Sequence, residues 1–342
     1  MTVWKWKVGW CPRTSYNPYK SRVKDCHFKV NVDEKEVDNR NFRHVGGLIL
    51  ERRRKYNKKK VNSNKFFKEI VGLEDAKRAL LNSVVRPAIR PDLFPLGWSR
   101  GILMFGPPGT GKTLLASSVA RKMKCNFREV DASSINSKWC GEAAKNVGDL
   151  FQGAKEWIKD SVAKKKAVPC IIFIDEVDAL FSVGNEWNVE MKNQFLKEMD
   201  SMEDKNKNIP LYLIGATNKP WNIDPSFIRR FQKRIYIPLP DLNQRKGILK
   251  LYLSKINVEN NLDVSLLADC FEGYSGSDIR EICQVAHLKT IERLFDESEN
   301  PRRDPDPVMF EDFEEIIDER KPSVSLETIE KCKNWADRYT AI

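Results

Sequence analysis

The sequence predicts an α/β fold in which a five-stranded parallel sheet carries helices on both faces and is followed by a small all-helical domain. Three observations predict it. A glycine-rich loop, Gly106-Pro107-Pro108-Gly109-Thr110-Gly111-Lys112-Thr113, stands between the apolar run Ile102 to Phe105 and a helical pattern that opens with Leu114, Leu115, Ala116 and Val119. Short apolar runs suited to strands alternate with helical stretches from Ile102 to Ile237. After Pro238-Leu239-Pro240 the pattern is helical, without a convincing strand. The expected organisation is a basic extension and linker over 1–60, a large α/β domain over 61–240 and a small helical domain with a C-terminal helix over 241–342.

The extension carries the charge of the chain. Of 59 Lys+Arg and 48 Asp+Glu, residues 1–65 hold 18 and 6, or +12, which leaves 41 against 42, or −1, for the rest. Trp4, Trp6, Val8 and Trp10 alternate with Lys5 and Lys7, and Phe28, Val30 and Val32 alternate with Lys29 and Asn31, so two half-buried strands are expected there. Cys11, Cys26, His27 and His44 match no zinc-ligand spacing. The block from Glu51 to Lys60 reads either as a solvated tether or as an attachment to nucleic acid, an acidic membrane surface or an acidic protein tail.

From Phe66 the elements follow in regular order. Glu74 to Val85 is an amphipathic helix expected to stop at Pro87, and Ile102 to Phe105 is the first core strand. The helix after the glycine loop runs to about Lys122. Phe127 to Val130, Cys170 to Ile174, Leu211 to Ile214 and Arg234 to Ile237 are the other strands, with helices at Ala143 to Ile158 and Trp187 to Met199. The helical domain takes Gln244 to Leu253, Val264 to Cys270, Ser277 to Leu294, Phe310 to Ile317 and Leu326 to Tyr339. The eight cysteines stand singly with no C-x-x-C pair, which argues against a disulfide framework and for a reduced, cytoplasmic chain. No signal peptide and no bilayer-length apolar run is found.

The chemistry starts at the glycine loop. Its glycines let several backbone N–H groups converge, and the helix opening at Lys112 adds its positive end, so the loop suits a polyphosphate. Lys112 is expected to reach the β- and γ-phosphates of ATP, and the Thr113 hydroxyl to sit on Mg²⁺. Ile171-Ile172-Phe173-Ile174 runs into Asp175 and Glu176 at the carboxyl edge of the same sheet. Asp175 is expected in the Mg²⁺ shell and Glu176 to polarise the attacking water. Asn218, at the end of the next strand, would fix that water or a γ-phosphate oxygen, or else cap a turn. Arg229 and Arg230 read as a solvated face, or as arginine fingers offered to a neighbouring subunit's nucleotide.

Taken together, Gly106 to Thr113, Ile171 to Leu180, Gly215 to Asn218, Phe227 to Asp241 and Gly273 to Ile279 resemble an AAA+ ATPase of the meiotic clade. That clade holds katanin, spastin, fidgetin and the vacuolar-sorting ATPases that dismantle ESCRT-III polymers, with archaeal cell-division relatives. The resemblance covers about Phe66 to Tyr339. It implies a homo-oligomeric ring, usually a hexamer, with ATP between subunits, Arg229 and Arg230 acting in trans, and Asn218 as a sensor. Gly276 and Ser277 would lie near the nucleotide, in a clade that lacks the second sensor arginine, and the helical lid would move with nucleotide state. Lys138 and Trp139, in Ser137-Lys138-Trp139-Cys140-Gly141, match the first pore loop that grips polypeptide, although an isolated tryptophan is more often core.

The implied function is ATP-driven remodelling of protein assemblies, foremost ESCRT-III-type polymers. Microtubule severing and a nucleic-acid-associated ATPase are the alternatives. Four features depart from the family pattern. The second pore loop, Val183 to Trp187, is short, and the segment Ile158 to Val168 is long. The extension does not resemble a microtubule-interacting-and-trafficking domain, and residues 296–307 leave little room for the β insertion of eukaryotic vacuolar-sorting members.

Overall fold

The computed structural model describes residue 67 and residues 70–131, 143–163, 168–182, 189–203, 209–297 and 304–340. The expected N-terminal strands, the basic block, the first pore loop with Lys138 and Trp139, and the second pore loop at 183–187 lie outside these residues.

Five parallel strands form one sheet in the order β2-β3-β4-β1-β5: β1 Gly101–Phe105, β2 Asn126–Asp131, β3 Cys170–Asp175, β4 Leu211–Thr217 and β5 Lys233–Tyr236. The three central strands are buried almost end to end, which is why they read as continuous apolar runs rather than as alternating ones. The period of two survives as a division of faces. Leu103, Phe105, Ile172, Ile174 and Leu213 face one side, where they meet Phe151, Phe195 and Phe181. Ile102, Met104, Ile171, Phe173 and Ile214 face the other, against Leu80, Val84, Leu115 and Val119.

Helix α1 (Glu74–Leu80) runs through a wider turn, Leu81–Val85, into α2 (Arg86–Ile89). Pro87 therefore does not stop the helix, contrary to the sequence expectation. The Arg86 N–H donates to the Leu81 carbonyl, five residues back, and this π-type turn opens room for a ring that would otherwise strike the preceding carbonyl. The rest of the sheet layer is α3 (Lys112–Met123), α4 (Ala143–Ala163), α5 (Val177–Phe181), α6 (Val189–Glu203) and α7 (Pro225–Arg230).

The helical layer is α8 (Leu242–Leu253), α9 (Val264–Cys270), α10 (Gly276–Glu297) and α11 (Phe310–Glu319), built around Leu249, Leu267, Phe271, Ile279, Ile282 and Phe313. The last helix, α12 (Leu326–Tyr339), leaves that layer. Its Trp335 joins the core of the sheet domain, edge-on to Phe105 at 4.4 Å and against Tyr339 at 4.8 Å. The C-terminal helix is a brace on the sheet. Among the described residues no helix is long and apolar enough to cross a membrane.

Trp335→Ala should lower stability by about 3–5 kcal/mol, since it empties a tryptophan-sized volume in the sheet's core. Leu266→Ser, on a helical-layer residue that is 53% exposed, should stay within about 0.5 kcal/mol. Denaturant unfolding of both variants checks the contrast, and equal losses would contradict the bracing role of α12.

Candidate nucleotide site

The carboxyl edge of the sheet is built by the ends of β1, β3 and β4. Beyond β1 the chain turns at Gly106, where a Cβ would stand 2.1 Å from the Ile237 carbonyl oxygen, so only glycine fits so close to the neighbouring backbone. The Gly106 N–H donates to the Thr217 carbonyl at 3.3 Å and ties the loop to β4. Gly109 and Gly111 take φ of 71° and 91°, which curls the loop onto the first turn of α3.

Lys112 is 6% exposed, and its Nζ donates to the carbonyls of Gly106 at 3.0 Å and Pro107 at 2.8 Å. Burial lowers its pKa to about 8 against the opposing pull of Asp175, Cys332 and Asp178. An ammonium whose hydrogen-bond partners among the described residues are carbonyls of its own loop, beside open cleft, fits a polyanion. Thr113 follows it, and its hydroxyl donates to Asp175 Oδ2 at 2.7 Å. These two oxygens are hard ligands of the kind Mg²⁺ uses together with substrate phosphates. No group of three or more His, Cys, Asp or Glu among the described residues forms a self-contained metal cage.

Glu176 takes a left-handed conformation with φ of 49°, and its N–H donates to Asp175 Oδ1 at 3.0 Å. A non-glycine residue held there stores strain, and the strain aims the side chain into the cleft beside Asp175. Asn218, one residue past β4, also lines the cleft, and its Oδ1 is buried with no hydrogen-bond partner among the described residues. An unsatisfied acceptor at that point fits a water or ligand donor.

The cleft measures about 880 Å³. Pro108, Gly109, Thr110, Gly111, Lys112, Thr113 and Leu114 line it, with Asp175, Glu176, Asn218, Gly276 and Ser277. Gly106 and Pro107 act from behind, through the carbonyls that hold Lys112. The Ser277 N–H donates to the Gly109 carbonyl at 3.2 Å, which joins α10 to the loop. Arg229 and Arg230 do not line the cleft. Arg229 is exposed, while Arg230 pairs with Asp200 through Nε at 2.8 Å and one terminal nitrogen at 3.0 Å.

Three parts of the site escaped the sequence reading. Ile70, Val71 and Leu73, with Ile248, Leu251 and Tyr252 of α8, make an apolar end of the cleft suited to a flat base. Ile248 and Tyr252 lie four apart on one helical face, which was a readable signal, whereas the approach of Ile70–Leu73 is purely tertiary. Arg280 lines the cleft one turn beyond Ser277. Asp178 accepts from the Thr217 hydroxyl at 2.6 Å, behind the cleft wall.

Comparison with known proteins agrees with this geometry. Residues 102–239 match the family model AAA, the ATPase family associated with various cellular activities, and residues 261–315 match the AAA+ lid domain. The chain is 51% identical over 289 residues to Cell division protein C of Sulfolobus acidocaldarius, covering 83% of this chain and 74% of that protein. It is 36% identical over 281 residues to the spastin of Naegleria gruberi, covering 79% of this chain and 52% of that protein, so it spans about half of that longer relative. The crystal structure of the FIGL-1 AAA domain in complex with ADP superposes with a TM-score of 0.69 at 34% identity, covering 80% of this chain and 90% of that one. Sheet, lid and glycine loop thus coincide with one family, and the chain belongs to the AAA ATPases of the meiotic clade.

Proposed function

We propose that this ATPase is the subunit of a ring, a hexamer in the family pattern, that uses ATP hydrolysis to pull apart protein assemblies, foremost polymers of ESCRT-III type. The observation that carries the catalytic part is the meeting of the Thr113 hydroxyl with Asp175 at 2.7 Å, beside a buried Lys112 and a strained Glu176. Lys112 binds the β- and γ-phosphates, and the loop's N–H groups orient them. Thr113 and Asp175 would hold Mg²⁺, which would supply neutralisation of the charge developing on the phosphates. Glu176 accepts a proton from the attacking water while Asn218 fixes its position.

Arg229 and Arg230 lie off the cleft of their own chain, which supports a role at a neighbour's γ-phosphate. Lys138 and Trp139, in the family's pore-loop pattern, would grip the client. The 51% identity to an archaeal cell division protein supports the ESCRT-III-type client. Microtubule severing is the second reading, favoured by the 36% identity to spastin. Purified ESCRT-III-type filaments and microtubules, each incubated with the chain and ATP, separate the two by sedimentation. Loss of filaments that Trp139→Ala abolishes supports the first, and shortened microtubules with intact filaments overturn it.

Complementation tests the arginines. Arg229→Ala and Glu176→Gln should each bind ATP and lose hydrolysis by about 10³-fold or more. Mixed in one ring they should regain turnover, because some interfaces pair an intact Glu176 with an intact Arg229. Failure to complement would remove the trans assignment.

Lys112 gives a pH dependence. In the free protein it is charged below about pH 8 and neutral above, while bound phosphates favour the charged form. Binding therefore takes up a proton above that pH, and ATP affinity should fall about tenfold per pH unit beyond it. The stability of the nucleotide-free protein should run the other way. A lowered lysine pKa makes the buried charge destabilising below about pH 8 and relieves it as pH rises toward the unfolded value. Titration calorimetry in buffers of different ionisation enthalpy reads the proton uptake, which Lys112→Met should abolish.

A further inference from the structure

Asn218 stands at the tip of β4, and a backbone at the end of a strand does not hold a side chain to catalytic precision unaided. The residue before it supplies the support. Thr217 is 1% exposed, and its hydroxyl donates to Asp178 Oδ1 at 2.6 Å while accepting the Lys219 N–H at 2.9 Å. The one oxygen thus brackets Asn218, fixing the residue before it and the N–H after it. Asp178 sits on α5, two residues beyond Glu176, and α5 starts from the strained Glu176 itself. The end of β3 therefore carries Asp175 and Glu176 into the cleft and, through Asp178, clasps the end of β4.

We infer that Asp178 and Thr217 are positioning residues that hold Asn218 in register with Glu176 across the neighbouring strand ends. The inference rests on the reading of Asn218 and Glu176 as the pair that handles the attacking water. Asp178 and Thr217 do not line the cleft, and they act only through the peptide geometry around Asn218. The short Thr217 to Asp178 hydrogen bond is partly buried and charge-assisted, with its hydroxyl side shielded from water, the kind that keeps two elements in a single arrangement. Its loss lets the Asn218 amide wander by a fraction of an ångström, which weakens turnover far more than binding, because phosphate contacts lie on the glycine loop.

The test measures steady-state ATPase and nucleotide affinity in the full chain for Thr217→Val, Thr217→Ser, Asp178→Ala and Asn218→Ala, and for Thr217→Val combined with Asn218→Ala. We expect Thr217→Val and Asp178→Ala to lower kcat by about 10- to 10²-fold with nucleotide affinity within about threefold. Thr217→Ser, which keeps the hydroxyl, restores turnover. In the Asn218→Ala background Thr217→Val costs nothing more, since its effect passes through Asn218. Full additivity there, a parallel loss of nucleotide affinity, or unchanged kcat in Thr217→Val overturns the inference while leaving the reading of Asn218 intact. Parental turnover by Asn218→Ala overturns that reading and the inference with it. Asp178→Ala also removes a negative charge near Lys112, so Thr217→Val, which changes no charge, decides.

Discussion

A lysine ammonium buried at the mouth of a parallel sheet is the constraint around which this structure closes. Burying an unpaired cation is costly, and Lys112 meets the cost only in part, with two carbonyls of its own loop and the fields of Asp175 and Asp178. Those carbonyls belong to Gly106 and Pro107, so the loop must curl back on itself. That curl forces Gly106 against the Ile237 carbonyl and leaves its N–H for Thr217. The register of β4, β1 and β5 at their carboxyl ends, with Phe105 opposite Thr217 and Tyr236, is thus locked to the position of one ammonium. On the proposed reading a polyphosphate would complete the compensation, and its binding would tighten the whole edge.

The lid answers to the same loop. Gly109 takes the Ser277 N–H on its carbonyl, and a Cβ on Gly109 would strike Ser275 Oγ at 2.4 Å. At the other end of the cleft, Gly72 and Gly247 bring the segment before α1 against α8, with the Gln244 and Val71 side chains filling the space a Cβ would need. The helical layer thus touches the sheet domain at both ends of the cleft, with the nucleotide volume between.

What the sequence made legible follows from how local each signal was. The glycine loop, the acids after Ile174 and the strand-ending Asn218 are each written within a few residues, and the cleft gathers all of them. The helical lid was readable because each apolar stretch from Gln244 onward has a helical rather than a strand period. Pro87 was misread because a wider turn lies upstream in residues whose propensities do not announce it. The apolar end of the cleft depends on Ile70 to Leu73 meeting Tyr252 across some 180 residues of chain. Asp178 belongs to an acidic motif already recognised, yet its partner Thr217 lies on another strand, and only the parallel pairing of β3 with β4 brings them together. The brace formed by α12 was hidden for the same reason, since Trp335 reads as part of an amphipathic helix whatever it packs on.

Arg230 poses a question of magnitudes. Its guanidinium is held by Asp200 at the end of α6, in a pair whose carboxylate is about half exposed. The carboxylate is pulled below its ordinary range by the arginine's hydrogen bond, but a pair so open to water contributes no more than about 1 kcal/mol. An arginine finger contributes about 4–7 kcal/mol to a phosphoryl-transfer transition state. On the proposed reading, then, Asp200 cannot withhold Arg230 from a neighbour's γ-phosphate. It can only decide where the guanidinium waits, and it keeps that charge from collapsing elsewhere on the surface before a neighbour arrives. Arg229, exposed and without an ion pair among the described residues, has no such anchor. The two adjacent arginines therefore differ in kind, one pre-oriented and one free to search, although the sequence presents them as a matched pair.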